Sequence, residues 1–220
     1  MIDINRHTEF PRLKKAFERK FPLVAYAFEN EYGWPEMDTL RHEACLCIAF
    51  DLNQAAITLC NHLLESLLKY SLIYSHSIKN EKSVSLNNPE IIALMAAFTE
   101  EGIKKYGDMQ LNRTIDEAHG LELIDDAERD MLHQFRHNFR NAYSHADKQK
   151  TFGGIAIPVQ SAKIDRGQIV TGIPVEAKIA GLPILHSIAQ AVKAAEDAPY
   201  YFLYLDELVR RLKKRVFPIS

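Results

Sequence analysis

Residues 135–147 read FRHNFRNAYSHAD, placing two arginines, two asparagines, two histidines, a serine and an aspartate within thirteen residues. Arginine carries a fixed fork of donors that suits a phosphate and stays charged. Histidine accepts or donates a proton near neutral pH, and asparagine can orient either partner. Arg140, Asn141 and His145 supply, in one short span, the groups that metal-independent phosphodiester cleavage needs. The substrate must then bring its own nucleophile, as RNA does through its 2′-hydroxyl.

Two other chemistries fit less well. His133, His137, Asn141 and His145 recur every four residues like a metal-binding column. That column drifts about 40° per step on a helix, and no H-E-x-x-H glutamate or nearby cysteine completes a ligand set. Ser144 and His145 are adjacent, so on a helix they do not face each other, and no strand–turn nucleophile elbow surrounds the serine.

The same stretch also reads as a two-faced helix. With Leu132 at zero on a helical wheel, Leu132, Phe135, Phe139, Ala142, Tyr143 and Ala146 fall within roughly 100° of arc. His133, Arg136, His137, Arg140, Asn141, Ser144 and His145 occupy the other side. An ordinary solvated face is built from Glu, Lys, Gln and Arg, which favour helix. Here Asn, His and Ser, poorer helix formers, take their place, which points to a site.

The elements that must position this helix can be read from caps and periodicity. Thr8 and Pro11 predict a helix start, and the helix runs to about Gly33-Trp34-Pro35 with a kink at Pro22. Residues 38–87 contain neither Gly nor Pro and keep three- and four-residue apolar spacing. They predict one long amphipathic helix or two nearly collinear ones. Asn88-Pro89-Glu90 caps the next helix, Thr114 to Glu117 reads as a capping box ended by Gly120, and Asp125 to Glu128 opens the helix carrying FRHNFRNAYSHAD. Residues 150–178, rich in Gly, Val, Ile and Pro around Asp165-Arg-Gly167, predict a β-hairpin. Helices resume at Pro183 and again at Pro199. The expected class is mainly α, with an N-terminal helical extension over 1–37 and one helical domain over 38–220.

Composition narrows the function classes. The 220 residues are 47% hydrophobic and 25% charged, with a formal net charge of −2, typical of a globular chain. This balance argues against broad nucleic-acid coating but leaves room for a local phosphate site. No apolar run reaches the roughly 18–20 residues of a membrane span, and the N-terminus lacks a secretory layout. Cys45, Cys47 and Cys60 lie in one apolar stretch without metal-ligand spacing and read as reduced, buried thiols. A cytoplasmic location without a membrane is expected, and no cofactor is implied. The run Arg210 to Arg215, RRLKKR, reads as the wet face of an amphipathic helix, with nucleic-acid contact as the alternative.

Arg140-Asn141-Ala-Tyr-Ser-His145 is an R-N-x-x-x-H sequence and resembles the R-x4–6-H motif of HEPN domains. GLELIDDAERDMLHQFRHNFRNAYSH resembles that family's motif helix and lead-in, and NHLLESLLKYSL resembles its earlier helix with an acidic residue, Glu65. The resemblance spans about residues 38–147. It implies a helical bundle whose active members are endoribonucleases, often toxins or phage-defence effectors, that pair two motif helices across a homodimer.

On that resemblance, His145 acts as general acid or base, Arg140 binds the scissile phosphate, and Asn141 holds the histidine or a phosphate oxygen. Arg136, Glu65, Tyr143, Ser144 and Lys148 form the substrate-binding set. Several of these also have plainer readings. Glu65 orients Arg140 or pairs with Lys69 one turn on; Tyr143 contacts RNA or packs the core; Lys148 meets phosphate or simply ends a helix. The implied partners are RNA, a second copy of the chain, and a nucleotidyltransferase-type antitoxin. The alternative function is a noncatalytic HEPN module that binds nucleotides or proteins. The hairpin departs from the simplest family pattern and reads as a dimer arm, a lid, or a block over the cleft.

Overall fold

The computed structural model describes residues 9–80, 91–141, 156–165, 168–178 and 183–218, with backbone alone at 9, 79–80, 91–98, 141, 183–187 and most of 156–178. The expected cap at Asn88-Pro89-Glu90 and the residues Tyr143, Ser144, His145 and Lys148 lie outside the described residues.

The described chain is mainly helical. In order come α1 (Glu9–Glu29), α2 (Pro35–Ala49), α3 (Asn53–Asn80), α4 (Ile91–Tyr106), α5 (Leu111–Gly120) and α6 (Asp126–Phe135). A π-helical turn, Arg136–Asn141, continues directly from α6. Strands β1 (Ala156–Asp165) and β2 (Gln168–Lys178) run antiparallel, and α7 (Pro183–Val216) follows. Among the described residues, no helix is long and apolar enough to cross a membrane.

The core is organised around α3, which packs against α2, α4, α5, α7 and the π turn. Its apolar residues recur at helical spacing, so Leu63, Leu64, Leu67, Leu68 and Leu72 are all sealed from solvent. Tyr201, Phe202, Leu205, Leu208 and Leu212 of α7 complete that core. Gly102 lets α4 approach closely: a Cβ there would stand 3.2 Å from the Ile73 backbone.

Three expectations are corrected. Residues 38–87 do not form one long or collinear helix: α2 ends at Ala49 and α3 begins at Asn53, and the two pack side by side. The break is at Asp51, whose φ of 62° is left-handed, a conformation that short polar side chains tolerate. Asn53 Nδ2 secures it by donating to Asp51 Oδ1 at 2.8 Å.

Thr114 is not a cap. Helix α5 starts at Leu111, and Thr114 is buried inside it, its hydroxyl donating to the Gln110 carbonyl at 3.0 Å, the back-bonding that a mid-helix threonine adopts.

Pro199 starts no new helix either; α7 runs through it. An interior proline leaves the carbonyl four residues earlier without its helical donor. That carbonyl, Ala195, accepts from Lys20 Nζ of α1 at 3.5 Å.

The N-terminal helix is also tied in by Arg41. This guanidinium, 1% exposed, donates to the carbonyls of Ala27 and Asn30, to Asp38 Oδ1 at 2.6 Å and to Asp206 Oδ1 at 2.7 Å. Tyr32 donates to the other Asp206 oxygen at 2.8 Å. With donors and acceptors paired, the buried charges are tolerated; removing one partner of such a pair costs about 3–5 kcal/mol.

Candidate functional site

Helix α6 is held at its start, along its length and at its far end. The expected capping box is present at the start: Glu128 N–H donates to Asp125 Oδ1 at 2.8 Å, and Asp125 N–H to Glu128 Oε2 at 3.0 Å. Glu128 is buried and also meets Arg211 at 2.9 Å and Arg215 at 2.5 Å, binding the start of α6 to the end of α7. Along the helix, Arg129 and His133 both reach Asp116 of α5, at 2.8 and 3.1 Å. Desolvation is the largest single influence on the Asp116 carboxyl and raises its pKa, but the hydrogen bonds and charges of His133 and Arg129 together outweigh it and hold the group below its ordinary range.

At the far end, the Phe135 and Phe139 rings pack on Tyr201 of α7, with centroids 4.7 and 4.6 Å away. Leu132, Phe135 and Phe139 are buried as the apolar stripe predicts.

The helix does not stay α-helical into the motif. Arg136–Asn141 form a π turn, so over these residues the wheel drawn at about 100° per residue no longer gives the relative facing of the polar side chains, although Phe139 keeps its place in the buried stripe. A π turn closes its hydrogen bonds between residues five apart. Positions 136 and 141 therefore share a side, whereas an α-helix would set them about 140° apart. Single π turns inside α-helices occur frequently at functional sites.

Arg140, in this turn, extends toward α3. Its Nη2 lies 3.5 Å from Glu65 Oε2, while Glu65 Oε1 lies 3.1 Å from Lys69 Nζ. The two readings of Glu65 are thus compatible: one carboxylate spans both cations. The Arg140 side chain remains 36% exposed, leaving N–H donors that an anion in solvent can reach.

Arg136 is half-buried, and its Nε has no partner among the described residues. His137 is exposed, with Nδ1 against Asn138 Oδ1 at 3.2 Å, and His133 is engaged with Asp116. These two members of the four-residue histidine column have separate partners, and the described residues contain no metal-binding cluster. Asn141 is placed by its backbone alone.

Two residues beneath Arg140 were not singled out by sequence. The buried Tyr201 hydroxyl donates to Asn61 Oδ1 at 3.1 Å. Burial pushes the Tyr201 phenol well above its ordinary range, Cys60 adds to this, and the positive charge of Arg140 acts in the opposite direction. Asn61 is 7% exposed, and its Nδ2 has no partner among the described residues. The available signal was the polar series Asn61, Glu65, Lys69, one turn apart on α3. Together Asn61, Glu65, Arg140 and Tyr201 form a polar seam between α3, α7 and the π turn, with one cation facing solvent. No match to this chain was found among protein-family models, curated proteins or solved structures.

Proposed function

We propose that this chain is a metal-independent endoribonuclease of HEPN type, toxin-like or defence-like, working as a homodimer with the site at its two-fold axis. The observation that carries the reading is the Arg140–Glu65 pair at 3.5 Å. It sets a reachable guanidinium on the motif turn, oriented by an acid from a neighbouring helix. The π turn beneath Arg140 supports the same reading.

In this reading the 2′-hydroxyl attacks the adjacent phosphorus as His145 accepts its proton. The new 2′-oxygen–phosphorus bond forms and the bond to the 5′-oxygen breaks. That oxygen leaves with a proton from the partner copy of the motif histidine. The products are a 2′,3′-cyclic phosphate and a 5′-hydroxyl, and no redox partner or metal enters the balance. Arg140 stabilises the negative charge that develops at phosphorus, and Asn141 orients the histidine or a phosphate oxygen. The bundle is then HEPN-like, and the paired strands form a dimer arm or lid. The chain acts in the cytoplasm, and an antitoxin of nucleotidyltransferase type restrains it.

The test incubates purified protein with RNA in EDTA beside Arg140→Ala and His145→Ala. Cleavage by wild type alone supports the enzyme. Inactivity of all three assigns the chain instead to a noncatalytic HEPN module that binds nucleotides or proteins.

A further inference from the structure

A second concave surface lies where the end of α7 meets the end of α1. It encloses about 700 Å³ and is lined by Tyr26, Tyr32, Phe217, Arg210, Lys213 and Lys214, with Glu31 also in the wall. Three aromatic rings and three cations thus share one recess. The cations come from the RRLKKR run, and the rings are partly open: Tyr26 is 61% exposed and Phe217 37%.

The arrangement inside the recess is ordered. The Arg210 guanidinium sits between two rings, 5.6 Å from the Tyr26 centroid and 5.9 Å from that of Tyr32. The Tyr32 ring is also covered by Arg41 at 3.6 Å and its hydroxyl is held by Asp206, so this ring is fixed in place and the open ring surface is that of Tyr26 and Phe217. Arg210 is also paired with Glu207, and Lys213 donates to the Tyr32 carbonyl. One such bond leaves an ammonium with further donors. Lys214 is exposed. Behind Phe217, the buried Trp34 packs edge-on at 5.7 Å, and its indole N–H has no partner among the described residues.

Open ring faces interleaved with cations are what a single-stranded nucleic acid uses: bases stack on the rings while phosphates meet the cations. An acidic protein surface would use the cations but leave the rings idle. A chain with a net charge of −2 also needs such a local positive surface to hold a polyanion.

We infer that the Tyr26–Arg210–Lys214 recess is an accessory binding site for single-stranded RNA, separate from the Arg140 face. The choice of RNA rests on the ribonuclease reading. Helix α7 links the two places: Tyr201 packs under the motif turn, and Arg210 lies about 14 Å further along the axis on the opposite side of the helix, so a strand that reaches both passes around α7. The recess therefore holds a strand beyond the cleavage point and sets how long an RNA is bound well.

The experiment titrates a fluorescent single-stranded RNA 12-mer, by anisotropy in EDTA, into His145→Ala protein so that the strand survives. Lys214→Glu and Tyr26→Ala, added to that background, are each expected to weaken binding by about five- to a hundredfold. Lys214→Glu also makes the salt dependence shallower by about 0.7 in log–log slope. Lys104→Glu, an exposed lysine on α4 with the same charge change, is expected to bind like the parent.

Parent-like binding by both recess variants overturns the inference. So does an equal loss in Lys104→Glu, a loss in Lys214→Glu with none in Tyr26→Ala, or equally effective competition by inorganic polyphosphate. Recess-dependent binding by a wild-type protein that cleaves nothing defeats the nuclease reading and leaves the recess standing.

Discussion

Glu65 Oε2 lies 3.5 Å from Arg140 Nη2 while its other oxygen holds Lys69. The pair is partly solvated, so its worth to stability is small, about 0–1 kcal/mol. Its worth to a reaction is larger, because a misplaced phosphate-binding group can cost about 100-fold in rate. Glu65→Gln is expected to lower RNA cleavage by about 10- to 100-fold with an unchanged melting temperature. Unchanged kcat/KM in the variant contradicts a positioning role.

Asn61 and Tyr201 form a coupled pair beneath that contact, joined by a 3.1 Å hydrogen bond. Removing one partner leaves a buried polar group alone, at about 1–3 kcal/mol, whereas replacing both by apolar groups is nearly neutral. Asn61→Leu and Tyr201→Phe singly are therefore expected to destabilise, and the double variant to recover much of the loss. Urea denaturation of the four proteins in a double-mutant cycle measures this; strict additivity contradicts it.

Lys20 and Pro199 are coupled through one carbonyl, that of Ala195. In the helix interior, alanine is favoured over proline by up to about 3 kcal/mol. Pro199→Ala is expected to raise the urea midpoint and to return the Ala195 carbonyl to an intrahelical donor. Lys20→Met should then cost stability in the parent but less in Pro199→Ala. An equal cost in both backgrounds shows that Lys20 does not serve this carbonyl.

The cysteines carry a pH prediction. Burial, with Asp206 nearby, pushes the Cys45 thiol up to about 12, and burial raises Cys60 further. Both stay neutral and unreactive in the fold at pH 8. In the unfolded chain the same thiols ionise near pH 8.5. Folding stability from these groups is therefore complete below that pH and falls as pH rises toward 12. Iodoacetamide at pH 8 should label no more than Cys47, which is half-buried, until denaturant exposes all three. Rapid native labelling of Cys60 contradicts the burial.

What was legible in the sequence was mostly local chemistry. The Asp125–Glu128 box depends on four consecutive residues, and the Leu132–Phe135–Phe139 stripe on one helical period; both formed as expected. What was not legible depended on distant partners. The Thr114 box resembled a cap, but the helix had already begun at Leu111. Pro199 looked like a boundary because its solution, a lysine from α1, comes from far along the chain. The π turn lies where Phe135 and Phe139 both seat on Tyr201, a contact no wheel contains. For the site, Arg140 follows from residue type and spacing and Glu65 from the family resemblance alone, and the two meet in space. Asn61 and Tyr201 were not legible because their pairing joins two helices 140 residues apart, and nothing local to either residue marks a partner.

The most direct test of the account is the end chemistry of RNA incubated with wild-type protein in EDTA, beside Arg140→Ala and His145→Ala. Wild type is expected to yield fragments with 2′,3′-cyclic phosphate and 5′-hydroxyl ends. His145→Ala is expected to lose about 100- to 10,000-fold in rate, the range that general acid–base catalysis supplies. Fragments with 5′-phosphate ends, cleavage abolished by EDTA, or equal rates from all three proteins contradict it.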